Sequence, residues 1–163
     1  TQPGAPTLWV LDTTHPEVVA KFENQIDLTR ALFLVASKSG TTTEVASFDA
    51  YFFERVRALV GERAGQHFIA ITDPGTSLAE SATARRFRRV ILNPADIGGR
   101  YSGLSYFGLA PAALAGIDIA PLLAQADARA KACAPCVPVS ENPGAWLGAI
   151  LGEAALAGCL FCP

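Results

Sequence analysis

The chain has 163 residues, a length that fits one domain, and half of these residues are hydrophobic while 17% are charged. This composition supports a sizeable core and excludes a largely disordered chain. The formal net charge of −2 argues against nucleic acid or an anionic membrane surface as the main partner, although a few donors can still hold a small anionic ligand.

The two ends of the sequence carry no segment typical of export or membrane insertion. Residues 1–6 lack the basic start and apolar core of a secretory signal. The longest apolar stretch, residues 145–161, contains Glu153 near its middle and is shorter than the roughly 20 residues that a spanning helix needs. We therefore expect a cytoplasmic protein that does not enter a membrane.

Four apolar runs predict strands near residues 7–11, 31–36, 67–72 and 89–92. After the first run, Thr14 and Glu17 have the spacing of a capping box and predict a helix start. After the second run, apolar residues recur at intervals of three and four and predict a helix whose apolar stripe comprises Val45, Phe48, Phe52, Val56 and Leu59. Further helices are predicted at residues 77–86, 106–115, 119–132 and 143–157, the last with Asn142 as its cap.

The alternation of strands and helices predicts an α/β fold in three layers, a parallel sheet with helices on both faces. In such sheets, ligands bind beyond the carboxyl ends of the strands. We therefore expect functional residues in the loops at 12–14, 37–43, 72–76 and 93–102.

The loop after the second predicted strand, SKSGTTTE at residues 37–44, combines hydroxyl side chains with a flexible glycine at a helix start. The first N–H groups of a helix have no partner within it, and the helix dipole is positive there, so a phosphate would find donors and a favourable field. The nucleotide-binding pattern G-x-x-x-x-G-K-[ST] is absent. The alternative is that Thr42 or Thr43 only caps the helix.

A second stretch, DIGGRYS at residues 96–102, follows the fourth predicted strand. Its paired glycines allow a close approach of the backbone to a ligand, and Arg100 is a planar, permanently charged donor that could stabilise an enediolate. The alternative is that Arg100 is tied to a nearby carboxylate such as Asp96.

The four cysteines form two C-x-x-C pairs, Cys133 with Cys136 and Cys159 with Cys162. Such spacing is typical of structural zinc sites. A metal-stabilised interaction domain is therefore one alternative, and free thiols in a reducing cytosol are the other.

These two loops in order, FLVASKSGTTTE and DIGGRYSGLSYFGL, resemble the phosphate loop and the Gly-Gly-Arg-[Phe/Tyr]-Ser signature of the glucose-6-phosphate isomerase family. ENPGAWLGAILGE resembles a helix that follows the first sugar-isomerase (SIS) domain in bacterial members. The resemblance implies a partial SIS domain at residues 1–132 and an inter-domain helical region at 133–163. It also implies interconversion of glucose 6-phosphate and fructose 6-phosphate, in glycolysis and gluconeogenesis, without metal or cofactor.

The resemblance also assigns roles to individual residues. Arg100 would stabilise the cis-enediolate that forms as a proton moves between C2 and C1, with Glu44 and Gly99 in supporting positions. The phosphate would be bound by the side chains or backbone of Ser37, Lys38, Ser39, Gly40, Thr41 and Thr42.

Some family features have no counterpart in this sequence. The Gly-Gly-Ser loop that precedes the first strand is missing, and the family's base (a Glu) and ring-opening His belong to the second SIS domain. We therefore expect a substrate-binding fragment that is inactive alone. An upstream transaldolase fusion and a homo-oligomeric complete enzyme are left open, and a non-catalytic sugar-phosphate-binding SIS module is the alternative function.

Overall fold

The computed structural model describes residues 4–159, which divide between two compact units, Thr1–Ile117 and Asp118–Pro163. The first unit contains α1 (Pro16–Gln25), β1 (Phe33–Ala36), α2 (Thr43–Val60), β2 (Phe68–Thr72), α3 (Ser77–Ala84), β3 (Arg89–Leu92) and α4 (Tyr106–Leu114). The second contains α5 (Ile119–Ala132) and α6 (Pro143–Leu156). Short 3₁₀ segments lie at Gly61–His67, Gly99–Leu104 and Val139–Glu141. The division into compact units does not show where a SIS domain ends. The domain boundary that the sequence predicts at 132/133 therefore stays a prediction.

The sheet is parallel, with strand order β1-β2-β3 and helices on both sides. Val35 pairs with Ala70, and Ala70 pairs with Val90. The α/β fold and the last three predicted strands are thus confirmed. Because the strand order advances in one direction, crossovers of the usual right hand place α2 and α3 on the same face, and residues of both helices do share one core cluster with Phe68 and Ala70.

The core forms between that face and the two crossover helices. All residues of β2 are buried, and Phe68 stacks on Phe33 at 4.9 Å and packs against Phe87 at 5.1 Å between ring centroids. Val56 of α2 is completely buried, as its place in the apolar stripe predicts, whereas Leu59 of the same stripe is 58% exposed. The last residue of the stripe is therefore Val60, which packs against the core, and not Leu59.

A partly buried ion pair and a surface hydrogen-bond cluster link the helices of the first unit. Arg85, just after α3, pairs with Asp49 of α2 and lies over the rings of Phe53 and Phe87, 4.6 Å and 5.0 Å from their centroids. The guanidinium thus has both a counter-ion and aromatic faces.

Glu23 of α1 accepts hydrogen bonds from Tyr51 Oη at 2.6 Å and Arg55 Nε at 2.5 Å, both on α2. Burial alone would raise the pKa of Glu23, but these two hydrogen bonds and the Arg55 charge outweigh it and lower the pKa. The cluster therefore ties α1 to α2 through an ionised carboxylate.

Two predictions near the start of the chain are wrong. Residues 7–11 form no strand, and Leu8, Trp9 and Val10 are exposed, because no strand among residues 4–159 pairs with this segment. The capping box is also absent, since Pro16 begins α1 and its cap position is His15, which makes no side-chain cap bond.

The later helices agree more closely with their predictions. The α5 bounds match those predicted, and Asn142 caps α6 by accepting hydrogen bonds from the N–H groups of Gly144 and Ala145, each at 3.0 Å. Among the described residues, no helix combines the length and apolarity needed to cross a membrane.

Candidate functional site

Each strand of the sheet ends in a buried polar residue. Ser37 follows β1, Thr72 ends β2 and Asn93 follows β3, and all three are at most 5% exposed. Their backbones continue the ladder, with Ser37 N donating to Ile71 O at 3.0 Å and Asn93 N donating to Thr72 O at 2.8 Å. The loops that start from these residues therefore emerge from one edge of the sheet, where parallel α/β proteins bind ligands.

The first of these loops, residues 37–43, is called the phosphate loop from here on, after the role that the resemblance predicts for it. Its hydroxyls form two pairs, Ser37 Oγ with Thr42 Oγ1 at 3.1 Å and Ser39 Oγ with Thr41 Oγ1 at 2.9 Å. Thr42 occupies the cap position of α2, but its side chain makes no cap bond to the helix. Of the two alternative caps, Thr42 therefore makes no side-chain cap bond and Thr43 lies inside α2 as its first residue, so the first-turn N–H groups are left for another acceptor.

Gly40 is required by the shape of the phosphate loop. Its φ is +68°, and a Cβ added there would lie 2.8 Å from Thr76 Cβ and 3.1 Å from Leu78 N. Ser77 Oγ donates to the Gly40 carbonyl at 3.1 Å. The loop between β2 and α3 thus packs directly on Gly40, and only glycine fits.

Lys38 links the phosphate loop to both neighbouring loops. Its ammonium forms an ion pair with Asp73, just after β2, and donates to the Ala95 carbonyl, after β3, at 3.1 Å. Sequence analysis predicted that residues 72–76 lie at the carboxyl edge of the sheet, but it assigned no role to Asp73 or to the hydroxyl residues that follow. Their position directly after a buried strand could have identified them as candidate site residues.

Arg100 lies in the 3₁₀ segment Gly99–Leu104 and is exposed. Within residues 4–159 it forms no ion pair, so the alternative that Asp96 holds it is not realised. No hydrogen bond in this range joins it to the phosphate loop either. A Cβ on Gly99 would meet no atom within 4 Å, so the space beside the arginine is open.

Glu44, the predicted supporting residue, is exposed in the first turn of α2. A carboxylate there interacts favourably with the helix dipole but would repel a phosphate bound nearby. Its supporting role stays a prediction.

The cysteines are described only in part, because Cys162 lies outside residues 4–159. Cys133, Cys136 and Cys159 are exposed free thiols. Within the described range, no three His, Cys, Asp or Glu side chains come together as metal ligands. The zinc alternative stays untested for the complete set of four.

No family model matches the chain. A glucose-6-phosphate isomerase of Carboxydothermus hydrogenoformans is 34% identical over 147 residues, which are 90% of this chain and 32% of that protein. The crystal structure of a hypothetical protein from Thermus thermophilus matches with a TM-score of 0.82 at 30% identity, covering 88% of this chain and 34% of that one. A glucose-6-phosphate isomerase structure from Chlamydia trachomatis matches with a TM-score of 0.67 at 28% identity, covering 86% and 26%.

The chain thus spans about a third of the length of the relatives it matches. The similarity to the Carboxydothermus isomerase nevertheless covers 90% of this chain's own residues at 34% identity. The chain therefore belongs to the glucose-6-phosphate isomerase family.

Proposed function

We propose that this chain holds the substrate's phosphate in a glucose-6-phosphate isomerase, which interconverts glucose 6-phosphate and fructose 6-phosphate. The observation that carries the proposal is the phosphate loop, whose hydroxyl pairs stand at the uncapped start of an 18-residue helix. Hydroxyls and backbone N–H groups can bind the phosphate as neutral donors in a protein of net charge −2.

The proposed donors differ in how they are placed. Ser39, Thr41 and Thr42 are exposed at the loop surface, whereas Ser37 is buried and supports Thr42 through their hydrogen bond. Ser37 therefore contributes mainly by orienting Thr42, while the three exposed hydroxyls and the backbone of Lys38 and Gly40 bind the phosphate.

Arg100 supplies the second part of the proposal. Moving a proton between C2 and C1 places negative charge on the sugar oxygens, and an exposed guanidinium without an ion-pair partner among residues 4–159 is suited to stabilise that charge. Gly99 beside it is exposed, and a Cβ there would meet no atom within 4 Å, so this position does not obstruct the arginine.

Binding by the 163-residue chain tests this proposal directly. Amide resonances of the chain are followed by NMR during titration with fructose 6-phosphate and, separately, with fructose. We expect shifts in residues 39–44 with the phosphate ester alone. Combined Ser39→Ala and Thr42→Ala substitution should weaken binding roughly tenfold or more, because hydrogen bonds to charged groups are among the stronger ones.

Ser47→Ala is the matched control. Ser47 lies on the same helix, and its hydroxyl donates only to the Thr43 carbonyl, at 2.8 Å. It should leave the affinity unchanged. Equal binding of fructose and fructose 6-phosphate, or wild-type affinity in the double variant, would contradict the proposal.

We expect binding without turnover from these 163 residues alone. Isomerisation needs a general base within hydrogen-bond reach of the C1 and C2 protons, and no Glu of this chain lies in a motif that matches the family's base. The place in glycolysis and gluconeogenesis and the cytoplasmic location belong to the same proposal. A coupled assay with normal turnover would show that the base lies within this chain.

A further inference from the structure

We propose that Lys38 and Asp73 are positioning residues for the phosphate loop, and that the Lys38 ammonium does not bind the phosphate itself. This inference rests on the proposed function, because it concerns how the same loop is held in its binding conformation. It goes beyond the assigned roles by adding Asp73 and by giving the Lys38 side chain a task distinct from that of its backbone.

The two residues are joined twice. Their side chains form the ion pair, and Asp73 N donates to the Lys38 carbonyl at 3.2 Å. The Lys38 side chain is 32% exposed and that of Asp73 is 14% exposed, so the pair is partly withdrawn from water. A pair in this position is screened less than one at the surface.

The loop between β2 and α3 also holds the phosphate loop at a second point. Ser77 donates to the Gly40 carbonyl, and Thr76 packs against the Gly40 Cα. Lys38 and Gly40 lie on either side of Ser39, so both neighbours of this hydroxyl donor are fixed from the same loop. The Ala95 contact of Lys38 adds a third attachment, from the loop after β3.

Charge considerations favour positioning over direct binding. An ammonium already paired with a carboxylate has little net charge to offer a phosphate dianion. A carboxylate at this edge would in turn repel the dianion if Lys38 were absent. The structure also leaves Asp73 Oδ1 buried without a partner among the described residues, so this carboxylate depends on Lys38 for compensation.

The two roles for Lys38 predict opposite effects of removing Asp73. If Lys38 positions the loop, Asp73→Asn removes an anchor and weakens ligand binding. If Lys38 binds the phosphate, Asp73→Asn frees its ammonium and strengthens binding. The complete 163-residue chain is therefore titrated with fructose 6-phosphate by NMR as Lys38→Met, as Asp73→Asn and as the double variant.

We expect each single variant to bind fructose 6-phosphate roughly fivefold to tenfold more weakly, and the double variant to bind no more weakly than the poorer single, because the residues act as one unit. Lys131→Met and Asp127→Asn are the matched controls. They remove the same charges from an exposed i,i+4 pair on α5 and should leave the affinity unchanged. Tighter or unchanged binding by Asp73→Asn would overturn the proposal.

Hydrogen exchange of the free chain keeps this test separate from the proposed function. The amide of Asp73, which donates to the Lys38 carbonyl, should exchange faster in both single variants, by a larger factor than the loss of global stability in each variant accounts for. Unchanged exchange would overturn the positioning role even if the wild type binds. Failure of the wild type to bind fructose 6-phosphate would overturn the proposed function instead, while the exchange rates would still decide whether the pair holds the loop.

Discussion

Replacing Gly40 by alanine tests the geometry of the phosphate loop most directly. The positive φ of +68° costs an alanine about 1–2 kcal/mol. The new Cβ would also lie 2.8 Å from Thr76 Cβ and 3.1 Å from a backbone nitrogen, and neither atom can rotate away. Overpacking of this kind adds about 1–3 kcal/mol, so we expect a loss of about 3 kcal/mol in the free energy of unfolding.

The loss is measured by urea denaturation with tryptophan fluorescence. Trp9 packs edge-on against Phe22, with ring centroids 6.0 Å apart, and reports on the unit that contains the loop. Trp146→Phe in all variants removes the other tryptophan signal. For an m-value of about 2 kcal/mol/M, the midpoint should fall by about 1.5 M.

Gly75→Ala separates backbone strain from steric contact. Gly75 has a similar φ of +75°, but no atom lies within 4 Å of its would-be Cβ. We therefore expect a loss of about 1–2 kcal/mol from the backbone alone. Gly99→Ala, with neither feature, should change stability by less than about 0.5 kcal/mol. Equal losses in the Gly40 and Gly75 variants would refute the close contact with Thr76.

Three further predictions follow from other parts of the chain. The pKa of Glu23 in the folded protein lies below its ordinary value of 4.5, so the ionised Glu23 stabilises the fold above pH 4.5 and loses this effect as the pH falls through the folded-state pKa. Glu23→Gln should therefore flatten the acid side of a plot of melting temperature against pH. Asp49→Ala removes the counter-ion of the largely buried Arg85 and should lower the free energy of unfolding by about 3 kcal/mol, measured by urea denaturation. A loss under about 1 kcal/mol would count against a stabilising ion pair. In a complete isomerase that contains this chain, Arg100→Ala should lower kcat by about 10²–10³-fold with a smaller effect on KM, and Arg100→Lys should rescue only part; a rise in KM alone would exclude the enediolate role.

Much of the candidate site could be predicted because its signals are local. The hydroxyls and glycine of the phosphate loop follow a continuous apolar run and precede an amphipathic stripe, and both features are read within a few residues. The segment at 7–11 has the same apolar character as the other strands, yet it is mostly exposed and pairs with no strand among residues 4–159. The apolar composition of this segment is compatible with a strand, but a strand forms only where a neighbouring backbone satisfies its N–H and C=O groups.

Sequence by itself therefore determined the α/β class, the last three strands, the Asn142 cap and the edge of the sheet where the loops meet. Tertiary structure alone decided that the Thr42 hydroxyl turns to Ser37 instead of capping α2, and that the Lys38 ammonium is held by Asp73. Lys38 and Asp73 are 35 positions apart, and either side chain could have found another partner or solvent. Local patterns fix backbone conformation over one or two turns, whereas the partner of a long polar side chain depends on which distant loops the parallel sheet brings to the same edge.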